Sequence, residues 1–158
     1  MHMPTLYTNI LGTSNYVIKD KTEGLTHADS MLQLPFPGNC MNWILGHLMV
    51  YRMQCLGVID GVTKPDEDEF GLYGFGSEPM TDSDKAIPLE TLLARLDDLS
   101  EQIGAALEKM PESRLDEMLD EEHSVTVGQR LHFNLVYHEA YHVGQLEPLH
   151  ELALKNRS

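Results

Sequence analysis

Between Pro88 and Pro111 the chain repeats leucine with helical timing: Leu89, Leu92, Leu93, Leu96, Leu99, Ile103, Ala106, Leu107 and Met110. Steps of three and four residues gather these side chains on one face of an α-helix, which requires other apolar faces to pack against. Pro88 favours the first turn and Pro111 ends the helix. Three further helices supply the partners. One runs from about Thr5 to Asp20, with Leu6, Ile10, Tyr16 and Val17 as a weak stripe, and a short helix capped by Thr26 and Asp29 follows it. A second runs from about Cys40 to Leu56 behind the turn Pro35-Phe36-Pro37-Gly38-Asn39, with Asn39 as its expected cap. The last begins at the capping box Thr126-Val127-Gly128-Gln129 and continues through His142 toward Leu154, with a kink or break expected at Pro148. No segment has a strand-like alternation. The expected fold is all-α, a four-helix bundle formed by residues 1–158 as one domain. A long connection, Gly57 to Ile87, joins the second helix to the third, and loops of that length often line a site.

Charge excludes one class of partner. Twenty-five acidic residues against eleven basic ones give a net charge of −14, which repels nucleic acid and anionic membranes. No apolar run reaches the roughly eighteen residues of a membrane span, and no secretory leader is read at the N-terminus. Cys40 and Cys55 are too few for a disulfide framework and are expected to be small buried hydrophobes. A cytoplasmic protein acting on a small molecule is the expectation.

The chemistry concentrates in His138-Glu139-Ala140-Tyr141-His142. Residues four apart on a helix stand about 40° apart around the axis, so both imidazoles can aim at one point, as a divalent metal requires. A wheel centred on His138 places it with Leu131, Leu135, His142, Gln145, Leu146 and Leu149, on the face that should meet the core. Burying two imidazoles without partners is unfavourable. His47, on the same side of its helix as Trp43, Ile44 and Tyr51, is the third expected ligand. The other histidines carry less: His132 sits on the helix flank, His150 lies beyond Pro148, and His2, His27 and His123 are expected in solvent. Cys40 stands two turns from His47, about 10 Å along the helix, too far to share its metal.

His138 to His142 also spells H-E-x-x-H, the zincin pattern in which the glutamate is a general base. The continuation found in metzincins is absent, since Gln145 and Pro148 stand where Gly and His would be. Glu139 lies about 100° round the helix from His138, which favours a surface or inter-helix role. Gln145, nearly in line with His138, is better placed to hydrogen-bond a ligand. Tyr141 and Tyr51 are expected either to line the pocket or to pack in the core.

Asn42-Trp43-Ile44-Leu45-Gly46-His47-Leu48, together with His138-Glu139-Ala140-Tyr141-His142-Val143-Gly144-Gln145, resembles the DinB/YfiT-like metalloenzymes. The resemblance covers nearly the whole chain. It implies a four-helix bundle with a long crossover, and a divalent metal, nickel or zinc, on His47, His138 and His142. Many members have Arg where this chain has Val143, a departure that leaves the ligand positions intact. The activities implied are S-transfer or isomerisation with a low-molecular-weight thiol such as bacillithiol, mycothiol or glutathione. A bound metal can equally activate water for hydrolysis. The third possibility is a non-enzymatic metal-binding stress protein, which a fourth protein ligand would favour. A homodimer is the expected assembly.

Overall fold

A computed structural model describes residues 3–157, so His2 lies outside the described residues. Its long helices are α1 (Met3–Thr22), α3 (Met41–Asp60) and α5 (Leu89–Lys109), with short α2 (His27–Ser30) after the first. The C-terminal helical stretch is built in four pieces: α6 (Val127–His132), a π-helical segment (Phe133–His138), α7 (Glu139–Gly144) and α8 (Leu146–Asn156). Helix α5 packs against α3 and α1, and the C-terminal stretch packs against both α1 and α3. The chain is thus mostly helical around one apolar core. No helix among the described residues is long and apolar enough to cross a membrane.

The leucine ladder of α5 buries Leu89, Leu92, Leu96, Leu99, Ile103 and Leu107. On α1 the buried stripe is Tyr7, Leu11, Ser14 and Ile18, while Tyr16 points to solvent. That is one residue out of phase with the weak stripe expected from Leu6, Ile10 and Tyr16, since long interdigitating contacts override a faint pattern. Helix α3 is central: every residue from Met41 to Val50 is buried, so no side of this stretch is a solvent face. Its cap position is Cys40 rather than Asn39, without a side-chain hydrogen bond. It runs one turn past Leu56 to a left-handed Gly61 at φ 74°, a conformation that costs a residue without Cβ little.

The connection after α3 is not structureless. Asp66 caps a further helix, α4 (Glu67–Tyr73), by accepting from the amides of Asp68 and Glu69, and Glu69 pairs with Arg95 on α5. Part of the acidic run therefore has structural work. The connection is then tied to α3 by a buried knot. Tyr73 donates its hydroxyl proton to Asn42 Oδ1 at 3.0 Å and accepts from the Ile87 amide at 2.8 Å. Asn42 Nδ2 donates to the Ile87 carbonyl at 2.9 Å. Two short antiparallel strands, β1 (Met118–Asp120) and β2 (Val125–Thr126), precede α6 where no strand was expected. Both predicted capping boxes form, at Thr26/Asp29 and at Thr126/Gln129.

The C-terminal stretch departs most from the simple wheel. From α6 to α7 the buried residues Val127, Leu131, Leu135, Glu139 and Val143 stand four apart, with Asn134 buried beside Leu135. On a regular α-helix such a series drifts about 40° per step. The π segment, with its wider turn, absorbs the drift and keeps the series on one side. The inward face is therefore centred on Glu139, and His138 and His142 stand at its edge, partly buried. The helix breaks at Gln145, one residue after Gly144, whose carbonyl Pro148 cannot satisfy.

Candidate metal centre

At this edge the three expected histidines meet. His47 from α3, His138 from the end of the π segment and His142 from α7 each offer a ring nitrogen, all within 4.8 Å of one another. His47 and His138 approach Nε2 to Nε2 at 3.0 Å.

Two of the rings are held by their far nitrogens. His47 Nδ1–H donates to the Tyr73 carbonyl at 2.6 Å, and its ring stacks on Trp43 with centroids 4.4 Å apart. His142 Nδ1–H donates to Gln145 Oε1 at 3.1 Å. An oxygen acceptor on Nδ1 fixes the tautomer, so both rings turn an Nε2 lone pair toward the cluster. His138 is set by packing instead: its ring lies against Tyr51 at 4.2 Å, and its Nδ1 is buried with no hydrogen-bond partner among the described residues.

Burial pushes the pKa of His47 down to about 4 and that of His138 to about 3, and His138 is lowered further by its neighbours His142 and His47. His142 is also lowered by burial, against the opposing pull of its Gln145 hydrogen bond. All three rings are thus neutral near pH 7, the form in which imidazole binds a metal. Three neutral nitrogen donors converging on one point, two with orienting partners, fit a divalent transition metal.

The cluster forms one wall of a cavity of about 810 Å3, which also reaches Trp43, Tyr51, Ser77, Tyr141 and Gln145. Tyr51 packs on His47 and His138, and Tyr141 stands more than half exposed at the mouth with its ring 5.0 Å from that of His142. Glu139 is not in this cavity. It points the opposite way into the core, buried to 2% exposure and paired with the fully buried Arg52. The zincin-like glutamate is therefore a helix-to-helix tie, neither a surface residue nor a base beside the histidines.

The remaining described histidines are apart from the site. His132 is exposed, although its ring touches that of Tyr7, and His123 is exposed beside Asp120. His150 is half-buried and donates to the Lys21 carbonyl at 2.9 Å. His27, expected in solvent, is half-buried with its Nδ1 covered. Both cysteines are buried, and burial pushes the Cys55 thiol up to about 12.

Sequence reasoning missed Tyr73 and Arg52. The one signal for Tyr73 was Gly46: a Cβ there would lie 2.2 Å from the Tyr73 ring, so glycine admits the residue whose carbonyl holds His47.

The model of the DinB superfamily matches residues 22–146. The fold is similar to that of a solved structure from Enterococcus faecalis, described as the conserved protein of a locus. The two align with a TM-score of 0.76 at 15% identity, over 98% of this chain and 99% of that one, a likeness of fold alone. No curated protein matches the chain.

Proposed function

The chain belongs to the DinB superfamily, and on that footing we propose that it is a divalent-metal-dependent S-transferase whose ion is held by His47, His138 and His142. The observation that carries the reading is the pair of tautomer-fixing contacts, Tyr73 carbonyl to His47 and Gln145 to His142, which aim two lone pairs at the same point. Such outer partners are the usual accompaniment of metal-bound imidazoles. Three nitrogen donors suit nickel or zinc, and the open cavity beside them favours a catalytic over a structural ion.

A divalent ion held by His47, His138 and His142 would supply the charge that lets a thiol lose its proton at neutral pH. The sulfur then attacks an electrophilic carbon: a C–S bond forms, the bond to the leaving group breaks, the leaving group departs with that electron pair, and the thiol proton passes to solvent. The chain's own residues supply the setting. Trp43 and Tyr51 wall off the histidines, and Gln145 and Tyr73 keep two of them oriented. The nucleophilic thiol comes from outside, because Cys40 and Cys55 are buried away from the cavity. Hydrolysis of the zincin kind is disfavoured by Glu139, the motif's base, which is committed to Arg52. In this reading the protein is a cytoplasmic homodimer of single-domain chains. Helices α1, α3, α5 and the stretch 127–156 are the four members of the bundle.

The test is elemental analysis of tag-free protein beside His138→Ala, followed by S-transfer assays with bacillithiol, mycothiol and glutathione. About one nickel or zinc per chain, lost in the variant, supports the site. No metal in the purified protein and no uptake of nickel, zinc or manganese would end the enzymatic reading.

A further inference from the structure

We infer that the cavity beside the histidines selects an uncharged, planar aromatic molecule as the electrophile. The inference rests on the S-transferase reading for its chemistry, but the selectivity itself follows from the walls. Seven of the chain's eleven aromatic residues line this one cavity. Although the chain carries twenty-five acidic and eleven basic residues, no Asp, Glu, Lys or Arg is among the lining residues.

The aromatic rings of the mouth come from separate parts of the chain. Along the last helical stretch Phe133, Tyr137 and Tyr141 stand four residues apart, with centroid separations of 5.6 and 6.3 Å. Tyr137 and Tyr141 stack within 19° of parallel. Phe36 and Phe75 stand on the other elements of the mouth, Phe75 at 86% exposure. Large rings left in water around a concavity mark a binding surface rather than a scattered exposure. Deeper in, Trp43 and Tyr51 continue the aromatic lining to the histidines.

Charge then narrows the class. A carboxylate or phosphate entering this cavity meets no side-chain cation, and burying it unpaired is costly. The net charge of −14 further opposes its approach. With the site loaded, a cation would be opposed by the ion, whose charge three neutral ligands leave uncompensated. Two of the polar side chains present are already engaged, Ser77 as acceptor for Trp43 Nε1 at 2.9 Å and Gln145 as acceptor for His142. A neutral aromatic of one to three rings, stacked on the rim with its reactive carbon toward the histidines, is what the walls accommodate. The volume leaves room for the thiol beside it.

Trp43, the only tryptophan, lies in the lining and reports occupancy directly. The experiment titrates Trp43 fluorescence with three nitroaromatic quenchers of like size: neutral 4-nitroanisole, anionic 4-nitrobenzoate and cationic (4-nitrobenzyl)trimethylammonium. Each is run on EDTA-treated protein and on nickel-loaded protein containing 2-mercaptoethanol. The expected result is saturable quenching in which 4-nitroanisole binds about tenfold tighter than 4-nitrobenzoate in the metal-free protein and about tenfold tighter than the ammonium in the nickel-loaded protein. Phe133→Ala and Tyr137→Ala should each weaken it about fivefold without lowering Tm, since both rings are exposed. Equal or tighter binding of 4-nitrobenzoate in the metal-free protein, or no saturable quenching by 4-nitroanisole, overturns the inference. So does a shift of Tyr137→Ala from dimer to monomer in sedimentation with no quenching in the wild type, because the rim would then be a contact between copies. Preference for 4-nitroanisole over 4-nitrobenzoate without metal uptake would end the metalloenzyme reading and leave the preference for a neutral aromatic over an anionic one standing.

Discussion

Arg52 and Glu139 form an ion pair in the interior, with side-chain exposures of 0% and 2%. The guanidinium also donates from Nη1 to Asn15 Oδ1 at 2.7 Å and to the Leu96 carbonyl and Ser100 Oγ, each at 2.8 Å. One side chain of α3 thus binds α1, α5 and α7 together, and the α7 contact is made by the residue next to His138. The pair fixes the rotation of α7, which decides where His138 and His142 point.

Removing one partner leaves a buried charge without its mate. Glu139→Ala is expected to cost about 3–5 kcal/mol of stability, read from urea unfolding. The double variant Arg52→Met/Glu139→Leu should recover much of that loss, because both charges are gone. A double variant no more stable than Glu139→Ala would show that the remaining polar partners of Arg52, not the ion pair, set the cost.

Metal-free protein should weaken in mild acid. His47 and His138 have pKa values of about 4 and about 3 when folded, against about 6.5 in an unfolded chain. Between these values the unfolded chain binds more protons, so stability is fully present above about pH 6.5 and is lost as pH falls toward 4 and then 3. Urea midpoints measured in EDTA from pH 7.5 to 4.5 should decline, and the decline should be shallower in His138→Ala. Parallel declines in the two proteins would assign the acid sensitivity elsewhere.

Gly46→Ala tests the seat of His47. The new methyl would overlap the Tyr73 ring and displace the carbonyl that holds Nδ1. Nickel affinity by calorimetry should fall about 10- to 100-fold, the usual cost of losing an orienting partner. Tm should fall too, since Tyr73 is part of the buried knot with Asn42 and Ile87.

Gln145→Leu separates orientation from folding. Gln145 is half-exposed at the break between α7 and α8, so the apolar replacement should leave Tm nearly unchanged. With the acceptor for His142 gone, nickel affinity should again drop about 10- to 100-fold. An unchanged affinity would mean that packing alone orients His142.

Much of this molecule was legible from local pattern. The α5 ladder, both capping boxes and the pairing of His138 with His142 follow from spacing along single helices, and His47 joins the pair through its apolar neighbours and the family resemblance. What local pattern does not encode is phase and reach. The wheel of the last helix assumed 3.6 residues per turn and so centred the inward face on His138, whereas the π segment centres it on Glu139. Arg52 looked like an ordinary polar residue because its partners lie 37 to 87 positions away in sequence. Tyr73 was lost in a connection rich in Gly, Pro and Asp, where Asp66 nonetheless caps a helix. The aromatic ladder from Phe133 to Tyr141 has helical spacing, but spacing alone does not distinguish a core stripe from a cavity rim.

The π segment makes the site depend on a count as well as on residue types. Between the Thr126 cap and Glu139 the chain must supply a set number of residues for the carboxylate to arrive at Arg52 as the two imidazoles arrive at His47. Deleting Asn134, Leu135 or Val136 would leave every histidine and every aromatic residue of the cavity present in the sequence. It would also turn the downstream histidines by about 100°, out of the cavity. Comparison of this helix across relatives therefore has to be aligned by helical phase, with a gap allowed at the wide turn, before two histidines can be judged equivalent.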